Sequence, residues 1–238
     1  MGKLSQGING PFSGSVGPVV GTTWMGIPVI RSKPSRRKRA FSAGELAQQM
    51  KFKKMSHFLS PVMSLLNETF KPLAVRMTGF NKAYSYNVKN AFTGLYPDLK
   101  IDYSMILLGR GDLPNVASLA AVLSSPGNLD FSWTDNSGKG KARETDKAFV
   151  AAYCQEMNHW KYKLSAADRS NGRCSLDITH LKGKSLHGWL GFISADGKEV
   201  TDSIYTEIVH LELISERDRN TSEGFTKSSD RQFNVSRF

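Results

Sequence analysis

The chain has 238 residues, 39% hydrophobic and 22% charged, with a formal net charge of +11. That composition is ordinary for a globular protein able to bury one large core or two small ones, and it excludes a wholly disordered chain. The two cysteines, Cys154 and Cys174, are too few for a disulfide scaffold or a four-ligand zinc site, and no apolar run approaches the ~18 residues of a membrane helix.

The charge is unevenly spread. Residues 1–114 hold 16 Lys and Arg against 5 Asp and Glu, whereas residues 115–238 hold 16 of each. The whole excess therefore lies in the first half, which points there to a polyanion, an anionic membrane, an acidic protein face or a solubilising surface.

The N-terminus opens with a glycine ladder, Gly7, Gly10, Gly14, Gly17, Gly21 and Gly26, interleaved with Val16, Val20, Trp24, Ile27 and Val29. Glycine and proline at this density exclude a helix. Short strands over Val16–Val20 and Thr22–Ile30, turned at the glycines, are expected instead. Neither G-x-x-x-x-G-K-[ST] nor G-x-G-x-x-G is present, so the glycines read as backbone geometry and not as a phosphate cradle. Strand edges of this kind are natural sites for augmentation by another subunit, which makes Val16, Val20, Trp24, Ile27 and Val29 the candidate assembly residues.

A cation cluster follows: Arg31, Lys33, Arg36, Arg37, Lys38 and Arg39, with Lys51, Lys53 and Lys54 on the next helix. These nine residues are the candidate polyanion or partner site. Each phosphate they neutralised would steepen the salt dependence by roughly 0.7–0.9 units of log K per log salt. No RNA-binding or helix-turn-helix signature accompanies them, so any nucleic-acid binding would be non-specific.

Ser42-Ala43-Gly44-Glu45 has the form of a capping box and predicts a helix with Leu46, Met50 and Phe58 on its apolar side. Ser60-Pro61 restarts a helix carrying Val62, Leu65, Leu66 and Phe70, which Pro72 ends. A third helix is expected near Asn81–Phe92, and a strand near Ile101–Leu108. Leu113-Pro114-Asn115 reads as a linker. Seven short strands then follow, near Ser118–Leu123, Leu129–Thr134, Ala148–Cys154, Trp160–Leu164, Arg173–Ile178, His187–Ser194 and Ser203–Leu213, separated by Gly- and Asn-rich turns. That spacing predicts an immunoglobulin- or fibronectin-like sandwich. The expected fold is thus α+β, with an N-terminal β-hairpin plus helices over 1–114, an all-β sandwich over 115–214 and a flexible polar tail over 215–238.

Catalytic patterns are lacking. None of the five histidines forms H-E-x-x-H, and there is no G-x-S-x-G elbow. Cys154 and His159 fall at a strand and its turn, a poor setting for an activated thiolate. Asp196, Glu199 and Asp202 cluster at a hairpin loop, where turn chemistry accounts for them. Arg110-Gly111-Asp112 reads as a tight turn. No enzyme activity, cofactor or metal is expected. MGKLSQGINGPFSG lacks a secretory apolar core, so the expected location is cytoplasmic or within an assembly.

Four separated stretches carry a family resemblance: GKLSQGINGPFSGSVGPVVGTTWMGIPVIRSKP, FNKAYSYNVKNAFTGLYPDLKIDYSMILLGRGDL, FSWTDNSGKGKARETDKAFVAAYC and GFISADGKEVTDSIYT. Together they resemble the uncharacterised Bacteroidota family catalogued as domain of unknown function 6266, nearly up to Leu213. The resemblance implies no activity, cofactor or catalytic residue. Where family members usually read Asn-Pro-Arg-Thr, this chain has the more basic Ser35-Arg36-Arg37-Lys38-Arg39. A similar hairpin-and-helix opening before a β-sandwich occurs in proteins that look phage-derived. The leading expectation is a structural or interaction protein with a protein partner or a homo-oligomeric state. A non-specific nucleic-acid-binding protein is the alternative.

Overall fold

The computed structural model describes residues 2–3, 10, 12–24, 26–35, 39–125, 127–181 and 185–209. The expected polar tail and Arg36, Arg37 and Lys38 lie outside these residues.

Turns at the N-terminal glycines are more frequent than the expected strands allowed. Gly17 has φ 54°, the left-handed conformation a two-residue hairpin turn needs at its first position, and it divides the expected Val16–Val20 strand. Gly26, at φ 79°, likewise divides Thr22–Ile30. The result is an antiparallel sheet of β1 (Gly2–Lys3), β2 (Gly14–Val16), β3 (Val19–Trp24) and β4 (Ile27–Ser32), in spatial order β1-β4-β3-β2.

Helix α1 (Ala43–Leu59) starts where the capping box predicts. Ser42 Oγ accepts from the Glu45 N–H at 3.4 Å, and Glu45 Oε2 accepts from the Ser42 N–H at 2.9 Å. Such a cap contributes about 1 kcal/mol. The chain restarts through a 3-10 turn at Ser60–Val62 into α2 (Met63–Thr69), then passes a second such turn into α3 (Gly79–Asn90). The strand expected over Ile101–Leu108 shrinks to a two-residue pairing of β5 (Phe92–Thr93) with β6 (Lys100–Ile101). Beyond it, side chains satisfy much of the backbone. Asn87 both donates to Leu107 O and accepts from Leu107 N, each at 2.9 Å. Thr69 Oγ1 donates to Leu108 O, and Ser203 Oγ accepts from Leu108 N at 2.9 Å. A buried segment so satisfied does not need a sheet neighbour.

The seven later strands form near their expected places, the end of the expected Ser203–Leu213 strand lying outside the described residues: β7 (Ala117–Ser125), β8 (Asn128–Thr134), β9 (Lys147–Cys154), β10 (His159–Lys163), β11 (Arg173–Asp177), β12 (Ser185–Ile193) and β13 (Ile204–Val209). They make two antiparallel sheets, β11-β8-β7 and β10-β9-β12-β13. In an immunoglobulin constant-type sandwich the fourth strand would join the first sheet. Here β10 pairs with β9 in the second, giving the fibronectin-like division into three and four strands.

One core lies between these sheets, around Phe131, Trp133, Val150, Leu190 and Phe192. A second lies on the outer face of the four-stranded sheet. There Phe149, Tyr153, Trp160 and Trp189 meet Met55, Phe58, Leu66 and Phe70 of the helical segment. Segments on either side of residue 114 therefore share a core, and the molecule has three layers: helices, four strands, three strands. Strands β9 and β12 are covered on both faces. A Cβ at Gly109 would come within 2.5 Å of Phe149 Cζ and one at Gly191 within 2.3 Å, so the Phe149 ring fits only because both positions are glycine.

Candidate functional site

The N-terminal sheet stands outside this construction. Among the described residues, none of its side chains belongs to either apolar core. Successive residues of a strand point to opposite faces, and directly paired residues share a face. The register pairs Val20 with Arg31, Thr22 with Val29 and Trp24 with Ile27, placing these six side chains on one face. Val16 pairs with Val19 and lies on the other face, beside Gly21 and Ile30. Phe12 packs over Gly21, where a Cβ would come within 2.7 Å of its ring. Val29 is buried, whereas Trp24 is 55% exposed and Val16 61% exposed. Of the five candidate assembly residues, Val20, Trp24, Ile27 and Val29 thus come together, and Val16 does not join them.

The nine candidate cations are also divided. Arg31 and Lys33 are exposed at the end of β4 and just past it. Arg39 stands 3.3 Å from Glu45. On α1, Lys53 is exposed, Lys54 Nζ donates to Leu99 O at 2.5 Å, and Lys51 Nζ lies 5.8 Å from the Phe92 ring centroid. Lys51 and Lys54 thereby serve the fold of α1 against the β5–β6 segment. The sheet and its flank carry only positive charge. Residues 1–44 contain seven Lys and Arg, and the first acidic residue of the chain is Glu45.

The other chemistry-bearing groups have structural settings. Burial pushes the Cys174 thiol up to about 11 and raises that of Cys154 as well, which keeps both protonated at neutral pH. Asp196 Oδ1 accepts from Ser194 Oγ at 2.6 Å and from Lys198 N at 3.1 Å, and these bonds hold its carboxyl below the usual range. Asp202 Oδ1 accepts from Gly111 N at 3.1 Å. Glu199 meets Lys141 at 2.6 Å across a polar cleft of 490 Å³. Arg110-Gly111-Asp112 leads into a bend and not the expected tight turn, and the Arg110 guanidinium lies 4.4 Å from the Tyr86 ring centroid.

Sequence reasoning missed His187. Its position on a strand covered on both faces was legible in the uninterrupted apolar run of LHGWLGFI, where one histidine is out of place. The ring is 6% exposed, lies 4.2 Å from Tyr103 centroid to centroid, and bonds through Nδ1 to Tyr205 Oη at 2.8 Å. Burial lowers its pKa, against the opposing pull of Glu207 and Glu156. An unfolded histidine takes up a proton near pH 6.5, which the folded ring resists. This contribution to stability is present above pH 6.5 and is lost as pH falls below it towards the folded value. Urea midpoints should therefore drop between pH 7.5 and 5, and His187→Gln should flatten that pH dependence.

Part of the chain is similar to fibronectin type III structures. The solution structure of the fn3 domain of the human collagen alpha-1(XX) chain matches at 14% identity and TM-score 0.30, over 39% of this chain and 79% of that one. The chicken CNTN1 FN1–FN3 domains match at 8% identity and TM-score 0.30, over 42% of this chain and 33% of that one. A beta-1,2-glucanase from Parabacteroides distasonis matches at 17% identity and TM-score 0.22, over 42% of this chain and 14% of that one. No curated protein matches the chain. Among the described residues no helix is long and apolar enough to cross a membrane. The four stretches that carry the family resemblance fall in the N-terminal sheet, in α3 with the segment that follows it, and in both sheets of the sandwich. A family model matches residues 11–207, which takes in the last three stretches and the first from residue 11 onward, and the chain accordingly belongs to the family of unknown function DUF6266.

Proposed function

We propose that the chain is a non-enzymatic assembly component that contacts a protein partner through its N-terminal sheet and the basic run behind it. The observation that carries this reading is Trp24, more than half exposed on a sheet that shares no side chain with either core. Covering the exposed part of one tryptophan is worth about 2–3 kcal/mol at 25 cal/mol per Å². Both edge strands are short, and β2, exposed along its length, has β3 as its one neighbour among the described residues. An open edge presents unpaired N–H and C=O groups to a strand of another chain, but its shortness restricts that pairing to a few bonds and leaves the exposed side chains as the main contact. A nucleic-acid site has thinner support, because Lys51 and Lys54 are occupied within the fold.

Trp24→Ser is expected to weaken partner binding by tenfold or more, while its unfolding free energy stays within about 1 kcal/mol of the parent. Titration calorimetry together with urea unfolding measures both quantities. A variant that bound as tightly as the parent would remove the sheet from the interface.

A further inference from the structure

Resting on that reading, we infer that the partner is a different protein, which presents an apolar patch rimmed by carboxylates. The docking face combines the exposed Trp24 and Arg31 with the half-buried Val20 and Ile27, Val29 being already buried beneath them, and Lys33 follows just beyond the strand. Aliphatic side chains around one indole match an apolar protein surface. A nucleic acid would call for a row of stacking rings, and this face has one. The charge then selects among proteins. With seven cations and no acid in residues 1–44, two copies of this sheet would set like charge against like charge. A carboxylate rim instead complements Arg31 and Lys33 and leaves the apolar centre free to exclude water.

The test places a photo-crosslinking amino acid at position 24 of the full chain. It is irradiated in extract of the source cells, with and without nuclease treatment, and the adduct is mapped by mass spectrometry. The protein so identified is then purified and titrated with the parent and with Arg31→Glu/Lys33→Glu, at low and high salt. The expected adduct lies on a different protein, within a peptide whose apolar residues are flanked by Asp or Glu. Affinity should fall about tenfold or more on charge reversal and fall for the parent as salt rises. Equal thermal stability of parent and variant excludes misfolding as the cause. An adduct on a second copy overturns the inference and leaves the docking reading standing. So does an adduct that needs intact nucleic acid, or an affinity indifferent to charge reversal and salt. No adduct at all overturns the docking reading itself.

Discussion

Arg169→Ala is expected to destabilise the protein by about 3–5 kcal/mol, as breaking a buried ion pair does when one charge is left behind. The side chains of Arg169 and Asp146 are both fully buried, with Arg169 Nε 3.0 Å from Asp146 Oδ2. The Arg169 guanidinium also donates to Asn136 Oδ1 at 2.7 Å and to the carbonyl of Pro114 at 3.1 Å, and it lies 4.2 Å from the Phe192 ring centroid. Burial lowers the arginine's pKa and Asp146 opposes that shift, so the two charges depend on each other. Arg169 thereby ties the Pro114 linker to the inter-sheet core. In a chain of this size the loss corresponds to a melting temperature lower by roughly 6–20 °C. Arg169→Met/Asp146→Asn should be milder than Arg169→Ala, because no buried charge is left unpaired. Urea unfolding of both variants decides the matter, and a single variant within 1 kcal/mol of the parent would contradict the account.

Trp189→Ala should cost a similar amount, about 3–5 kcal/mol, from lost burial and the cavity left behind. The ring is fully buried under the helical layer, with its centroid 5.2 Å from Trp160 and 5.6 Å from Tyr205. Its Nε1 donates to Ile106 O at 3.1 Å, so the same side chain packs the sheet and holds the segment after β6. The effect should therefore reach beyond β12. Amide hydrogen exchange of α1 and α2 should accelerate along with that of the sandwich, since both close on one core. Helices that kept the parent's protection in a destabilised sandwich would show two independent units.

Much of this fold was legible in the sequence because its local signals agree with one another. The Ser42–Glu45 box, the Ser60-Pro61 restart and the turns between the seven strands each satisfy backbone groups close by in sequence. The strand expected over Ile101–Leu108 failed where satisfaction came from far away, from Asn87, Thr69 and Ser203. The packing of helices on the sandwich was written in β9 and β12, whose apolar runs do not alternate as a solvent-facing antiparallel strand would. At the candidate site, composition pointed to the sheet residues, but which of them share a face depended on a turn. In an unbroken strand Val16 and Val20 would lie on the same side. The two-residue turn at Gly17-Pro18 pairs Val16 with Val19 and moves it to the other. Composition was equally silent about which lysines of α1 would be taken up by Leu99 and Phe92.

The covering of β12 by helices made long before it has a consequence for synthesis. Phe70 leaves the ribosome roughly 120 residues ahead of Trp189, which at synthesis rates of about 5–20 residues per second is an interval on the order of 10 s. Through that interval the apolar sides of α1 and α2 lack Trp189, and β9 and β10, which also cover them, come only in its second half. The nascent chain thus carries an incompletely covered helical face until Ser185–Ile193 is made, and the shared core closes only then.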